Sequence, residues 1–310
     1  MPHTGVRFDL TSTDTTVAVC PVSAVGGVRA MLRAVLTSPE ALRSALQDPR
    51  LRIADVRWFL GEPGRGRREY EAGHVPGAVF VDVDTDLVAS SGPGRHPLPD
   101  PATFAERLEQ LGFGDDNRIV AYDQGGGTVA ARLWWMLDAL GHRDVWLLDG
   151  GLPAWVASGG ELTTELPSFA VSQLHLAARW PRTIDRVALA SQLGEVGLVD
   201  VRAPERYRGE TEPIDPVAGH IPTARNLPTS GNLGPDGRFL PPEQLAARFA
   251  ALGTERKPMV VQCGSGINAC HTAFAMRLAG LPDPLLYPGS YSDWSRSGMR
   301  VATGAEPGTH

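Results

Sequence analysis

The chain has 310 residues, of which 42% are hydrophobic and 21% are charged, a balance typical of a soluble globular protein. Its formal net charge is −6, so its overall field gives no reason to expect nucleic acid or an anionic membrane as a partner. No apolar run approaches the roughly 18 residues that a membrane-spanning helix needs. The cysteines Cys20, Cys263 and Cys270 are too few and too scattered for a disulfide framework.

The N-terminus does not have the composition of a secretion signal. Arg7, Asp9 and Asp14 stand where such a signal needs a basic start followed by an uninterrupted apolar core. We therefore predict that residues 1–36 form a flexible N-terminal extension and that the protein is cytoplasmic.

The two halves of the chain repeat the same short motifs about 140 residues apart. Leu51–Arg57 is similar to Gly197–Arg202, and Gly73–Ala78 is similar to Gly219–Ala224. Three further pairs share the same pattern: Pro101–Gly112 with Pro242–Gly253, Ile119–Asp123 with Met259–Cys263, and Gly150–Trp155 with Gly289–Trp294. Internal similarity at one nearly constant offset predicts two copies of a single domain.

Each copy alternates short apolar strands with helices. In the first copy Phe104, Leu108 and Leu111 fall at helical spacing, whereas Ile119–Asp123 begins as a short apolar run of strand length. Such alternation predicts an α/β fold, in which each domain is a mainly parallel sheet flanked by helices. Ligands of such sheets bind at the carboxyl ends of the strands.

A cysteine lies where the corresponding strand of the second copy ends. Met259–Val261 is an apolar run of buried-strand length, and apolar residues at helical spacing follow further on. Cys263 therefore closes a strand, and Gly264–Ala269 forms a tight loop before a helix. A thiol there lies over unpaired backbone N–H groups and the positive end of the helix dipole, which favour the nucleophilic thiolate. Gly264 and Gly266 permit the close backbone approach that this arrangement needs.

The first copy has Asp123 at the position of this cysteine, within a loop that keeps its glycines. A carboxylate cannot accept a sulfur atom, and we expect it to cap the N–H groups of its loop. One copy is thus predicted to be catalytic and the other structural. The predicted divisions are an extension at 1–36, a non-catalytic domain at 37–166, a linker at 167–182, a catalytic domain at 183–302 and a tail at 303–310.

Tandem copies with a cysteine loop only in the second resemble the rhodanese family of thiosulfate and 3-mercaptopyruvate sulfurtransferases. The resemblance covers about Leu51–Gly298, and the loop Cys263–Ala269, read CGSGINA, is similar to the mercaptopyruvate type CG-S/T-G-V-T-A. The thiosulfate type usually has basic residues after the cysteine, and this loop has none. The family implies a sulfurtransferase that forms a Cys263 persulfide from 3-mercaptopyruvate or thiosulfate. It then passes the sulfur to cyanide, a thiol or thioredoxin.

The resemblance also implies roles for individual side chains. Ser265 would help to protonate the leaving enolate, His74 from the inactive domain would support that serine, and Arg206 would bind the substrate carboxylate. The family's second carboxylate-binding arginine has no counterpart, because Glu212–Asp215 stands at its place. The remaining residues expected to contact substrate are those of the loop: Gly264, Gly266, Ile267, Asn268 and Ala269.

Other interpretations remain open from the residues alone. His74 could only hold its turn, since His220 has the same place in the second copy, and Cys270 is more typical of a core residue than of a resolving thiol. The protein could instead be a sulfur carrier or regulatory module. A rhodanese-fold cysteine phosphatase or arsenate reductase is disfavoured, because the loop lacks the cation that holds a phosphate-like dianion. The eight histidines show no metal-ligand spacing, and we expect neither a metal nor a cofactor.

Overall fold

The computed structural model describes residues 35–253 and 257–309 of the chain. The predicted N-terminal extension therefore lies outside the described residues except for its last two positions, and Cys20 lies outside them as well. Within the described ranges, no helix has both the length and the apolar character needed to cross a membrane.

Parallel strands form the sheet of the first domain: β1 Leu36–Thr37, β2 Leu51–Asp55, β3 Ala78–Phe80, β4 Arg118–Tyr122 and β5 Val145–Leu148. Across the sheet they run in the order β1-β5-β4-β2-β3, and every neighbouring pair is parallel. The helices of this domain are α1 Pro39–Ala45, α2 Arg65–Ala72, α3 Val83–Asp86, α4 Pro101–Gln110, α5 Ala130–Ala139 and α6 Gly151–Ala157.

The second domain repeats this plan with the strands β6 Gly197–Asp200, β7 Arg225–Asn226, β8 Met259–Gln262 and β9 Leu285–Leu286. They run in the order β7-β6-β8-β9, again with every neighbouring pair parallel. Its helices are α7 Arg186–Ala190, α8 Pro204–Tyr207, α9 Pro242–Ala250, α10 Ile267–Leu278 and α11 Ser290–Trp294, with a 3-10 helix at Thr229–Asn232. The predicted α/β fold with two mainly parallel, helix-flanked sheets is confirmed.

A cap and a buried apolar face stabilise helix α4, which supports the first sheet. The Asp100 carboxylate accepts a hydrogen bond from the Ala102 amide at 2.9 Å, and Pro101 occupies the first turn. Such a cap contributes about 1 kcal/mol to helix stability. Phe104 and Leu108 are fully buried on one face of the helix, which contributes about 1.5–3 kcal/mol for each side chain. The helix predicted from their spacing is confirmed.

The two domains share one continuous hydrophobic core, which includes side chains of helices α5 and α10. Trp134 of α5 meets Phe274 of α10 edge to face, with ring centroids 4.7 Å apart. Beside them, the buried Asp138 of α5 accepts hydrogen bonds from Arg277 of α10 at 2.7 and 2.8 Å. Helix α10 follows the cysteine loop directly. The packing of α5 against α10 therefore lets the first domain support the position of that loop.

Candidate active site

Cys263 lies at the carboxyl end of β8, in the loop that leads into α10. Its Sγ atom accepts hydrogen bonds from the backbone amides of Ser265 and Gly266, at 3.4 and 3.1 Å. The Cys263 amide donates to Oγ of Ser290 at 3.2 Å, which fixes the start of the loop. Two N–H donors therefore point at one sulfur, the atom that would act as the nucleophile.

A glycine in the left-handed conformation ends the loop and starts the helix. Gly266 has a φ of +82°, and a Cβ atom at this position would lie 2.5 Å from the carbonyl oxygen of Pro288. Helix α10 begins at the next residue, so the predicted loop through Ala269 is too long. Ile267, Asn268 and Ala269 form the first turn of α10 instead. The sequence pattern missed this turn because it lacks the apolar spacing that appears further along the helix.

A cleft of about 340 Å³ lies over the cysteine loop, between the two domains. Its walls come from both domains: Trp58, Leu60 and Arg95 from the first, and Val201–Ala203, Arg206, Pro228–Ser230, Cys263–Ser265, Ile267 and Asn268 from the second. Of the residues predicted to contact substrate, Gly266 and Ala269 are not on these walls. Gly266 turns the backbone beside the sulfur, and Ala269 is fully buried in the first turn of α10.

Arg206 lines the cleft while being fixed by two buried carboxylates. Its Nη2 atom donates to Oε1 of Glu212 at 2.6 Å and to Oδ2 of Asp215 at 3.3 Å. Burial alone would raise the pKa of the Glu212 carboxyl, but hydrogen bonds from Arg206 and from backbone amides leave that pKa below its usual value. The Nη1 atom of Arg206 lies 3.5 Å from the position that a Cβ atom would take on Gly264. Arg206 therefore presents one nitrogen to the loop.

A second arginine, which sequence reasoning missed, reaches the loop from the first domain. Arg95 pairs through Nη1 with Asp215, and its Nη2 atom lies 2.8 Å from the position of a Cβ atom on Gly264. The loop itself has no basic residue, but the fold brings a guanidinium to it. Asp215 could have indicated this arrangement. It stands where the family has its second carboxylate-binding arginine, and a carboxylate buried at that place requires a positively charged partner from another part of the chain.

His74 is not brought to the cleft, which corrects the expectation that it supports Ser265. Its ring nitrogens lie 2.8 and 3.1 Å from the carbonyl oxygens of Tyr70 and Glu165, and the ring stacks on Tyr70 with centroids 4.0 Å apart. His220 stacks in the same way in the second domain, on Tyr207 at 3.7 Å. His74 is fully buried and is not among the residues that line the cleft, which fits the alternative in which it holds its own turn.

In the equivalent loop of the first domain, the Asp123 carboxylate accepts hydrogen bonds from four backbone amides. Oδ1 of Asp123 accepts hydrogen bonds from the amides of Gly125 and Gly127, at 2.9 and 3.1 Å. Oδ2 accepts from the amides of Val129 and Ala130, at 2.7 and 3.0 Å. The capping role predicted for Asp123 is confirmed, and these four amides are not available to a bound anion.

Comparisons with known proteins identify relatives along most of the chain. A family model of the rhodanese-like domain matches the chain twice, over residues 38–158 and 183–297. The chain is 48% identical to the probable 3-mercaptopyruvate sulfurtransferase of Pseudomonas aeruginosa, over 88% of this chain and 100% of that relative. It is 40% identical to the putative thiosulfate sulfurtransferase SseB of Mycobacterium tuberculosis, over 86% of this chain and 95% of that relative.

A solved structure shows the same similarity in three dimensions. The crystal structure of SseA from Escherichia coli, a 3-mercaptopyruvate sulfotransferase, is 31% identical and superposes with a TM-score of 0.73. The match covers 83% of this chain and 98% of that one. The chain therefore belongs to the rhodanese family and is a sulfurtransferase with two tandem domains.

Proposed function

We propose that the protein moves a sulfane sulfur from 3-mercaptopyruvate or thiosulfate to a thiophilic acceptor, through a persulfide on Cys263. The observation that carries this proposal is the position of the Cys263 sulfur, which accepts two backbone hydrogen bonds and lines a cleft that also contains arginines. Both donors are small anions with a transferable sulfur. A nucleophile beside guanidinium groups suits them, because guanidinium binds carboxylate and similar oxyanions well.

In the first half of the reaction the Cys263 thiolate attacks the donor's outer sulfur. A bond forms between the two sulfur atoms while the donor's bond to that sulfur breaks. With 3-mercaptopyruvate the electron pair of the C–S bond stays on carbon as the pyruvate enolate, which takes up the thiol proton to give pyruvate. We assign Ser265 to this proton transfer, because it lies on the cleft wall and its amide already contacts the sulfur. With thiosulfate the pair leaves with sulfite.

In the second half an acceptor thiolate, or cyanide, attacks the outer sulfur of the persulfide. The S–S bond breaks, its electron pair returns to Cys263, and the acceptor leaves as a persulfide or as thiocyanate. The amides of Ser265 and Gly266 that favour the thiolate also favour the persulfide anion between the two halves. We propose a cellular thiol or thioredoxin as the acceptor and the cytoplasm as the location, which a pull-down and cell fractionation would test.

Steady-state kinetics with both donors test this function. The purified protein is assayed with 3-mercaptopyruvate and with thiosulfate, using cyanide or a dithiol as the acceptor. We expect turnover with at least one donor, and the ratio of the two kcat/KM values identifies the preferred one. Folded protein that turns over neither donor, yet carries a persulfide on Cys263 after isolation, would overturn the enzyme proposal in favour of a sulfur carrier.

A further inference from the structure

Two guanidinium groups, one from each domain, approach the residue that follows the nucleophile. Nη2 of Arg95 and Nη1 of Arg206 lie 2.8 and 3.5 Å from the position of a Cβ atom on Gly264. We propose that Arg95 is a donor-binding residue, which together with Arg206 holds the anionic group of the sulfur donor over Gly264. This inference rests on the sulfur transfer proposed above and adds the first domain to the donor site.

One buried carboxylate orients both guanidinium groups. Asp215 pairs through Oδ1 with Nη1 of Arg95 and accepts a hydrogen bond through Oδ2 from Nη2 of Arg206 at 3.3 Å. Its side chain is completely buried, so the two arginines are fixed relative to each other. Within the part of the chain that the structure describes, Nη2 of Arg95 and Nη1 of Arg206 have no hydrogen-bond partner. Two charged donors next to the nucleophile are thus available to an anion.

The segment that carries Arg95 is shaped to rest on the catalytic domain. Gly94 has a φ of +79°, and a Cβ atom there would lie 2.4 Å from the carbonyl oxygen of Gly289. The Arg95 amide donates to Oγ of Ser292 at 3.0 Å. Only glycine permits this approach to the start of helix α11, since any side chain would push the segment away. The contact explains how a residue of the first domain comes to line the cleft.

The charges around Asp215 leave room for an anion. Among the residues that the structure describes, four guanidinium groups and three carboxylates form one connected network: Arg95, Arg202, Arg206, Arg296, Asp200, Glu212 and Asp215. The network therefore carries one positive charge in excess, which faces the Cys263 thiolate and the donor that approaches it. Burial lowers the pKa of the Arg95 guanidinium, but an arginine stays protonated in proteins. The carboxylate of 3-mercaptopyruvate and the sulfite end of thiosulfate are both negatively charged oxygen groups, and an excess of positive charge attracts both.

The variant Arg95→Gln tests the inference against the matched control Arg296→Gln. Arg296 pairs with the same Asp215 at 3.1 Å but is half exposed and does not line the cleft. KM and kcat are measured for both donors with cyanide as the acceptor, and the rate of sulfur removal is measured separately on protein already loaded with sulfur. For Arg95→Gln we expect KM for at least one donor to rise about tenfold or more, the factor lost with one charge-assisted hydrogen bond. Sulfur removal from loaded protein should be unchanged.

The pattern of effects separates a binding role from a structural one. A larger KM increase for 3-mercaptopyruvate assigns Arg95 to the carboxylate, and a larger increase for thiosulfate assigns it to the sulfite end; both support the inference. Unchanged KM for both donors, or an equal increase in Arg296→Gln, would overturn it. Should Arg95→Gln not fold, Arg95→Lys provides the same comparison. A lysine has one nitrogen, which cannot pair with Asp215 and also reach the donor, so a KM like that of the wild type for both donors would count against donor binding by Arg95.

A failure of the inference is distinguishable from a failure of the proposed function. Wild-type protein that takes sulfur from neither donor would contradict the function itself, and the inference with it. Wild-type protein that takes up sulfur normally, with an Arg95→Gln variant of equal KM, would contradict only the role of Arg95.

Discussion

Replacing Gly266 by alanine would test whether the backbone amides beside Cys263 activate it. A non-glycine residue in the left-handed conformation costs about 1–2 kcal/mol, and the φ of Gly266 is +82°. The added Cβ atom would also lie 2.5 Å from the Pro288 carbonyl oxygen, so the loop has to shift. That shift moves the Gly266 amide, which now lies 3.1 Å from Sγ of Cys263.

The size of the effect follows from the hydrogen bond that is lost. A hydrogen bond to a charged group contributes about 1.5–3 kcal/mol, which corresponds to a factor of about 10 to 100 in rate. We therefore expect Gly266→Ala to slow persulfide formation by that factor and to lower the free energy of unfolding by at least about 1–2 kcal/mol. Single-turnover mixing with donor measures the first quantity, and urea unfolding measures the second.

Gly159→Ala is the matched control. Gly159 has a φ of +78°, but a Cβ atom there meets nothing within 4 Å, so alanine adds backbone strain without a clash. We expect a similar loss of stability from the strain alone and an unchanged rate of persulfide formation. If Gly266→Ala were as fast as Gly159→Ala, the backbone amides would not be the groups that activate the thiol.

Three further predictions follow from the contacts of the site. Arg206→Lys should raise KM for 3-mercaptopyruvate about tenfold and KM for thiosulfate less, because the single nitrogen of a lysine cannot stay paired with Glu212 and also reach the donor's carboxylate; equal increases in steady-state assays would exclude Arg206 from carboxylate recognition. Iodoacetamide should alkylate Cys263 and spare Cys270 in the native protein, because burial raises the pKa of the Cys270 thiol to about 12; peptide mass analysis that finds both modified at equal rates would contradict this. His74→Gln should lower the free energy of unfolding by about 1–3 kcal/mol, the cost of disturbing its buried hydrogen bonds, and leave kcat/KM within about twofold; a stable variant without activity would restore the catalytic assignment.

The sequence predicted the features that depend on neighbouring residues. The helical spacing of Phe104 and Leu108 and the strand–loop–helix pattern around Cys263 are local, and the structure reproduces both. The capping by Asp123 was also predictable, since its partners lie within seven positions along the chain. These are properties of single elements and of the turns between them.

The sequence did not predict features that depend on contacts between the domains. Arg95 and Asp215 are 120 positions apart, and no periodic pattern connects them. The sequence left His74 open between two roles, because its motif indicates a turn but not the direction of the ring, which the stack on Tyr70 determines. The first turn of α10 was not predicted because its residues do not continue the apolar spacing found further along the helix. Two of them, Ile267 and Asn268, line the cleft instead.

The most direct test of this account is the mass of the protein after mixing with donor in the absence of an acceptor. We expect the peptide that contains Cys263 to gain the mass of one sulfur atom in the wild type, and the gain to disappear on addition of cyanide. The variant Cys263→Ser should show the wild-type circular dichroism spectrum and no gain. A sulfur adduct on Cys270 instead, or sulfur transfer that persists in Cys263→Ser, would contradict the central claim that Cys263 carries the sulfur.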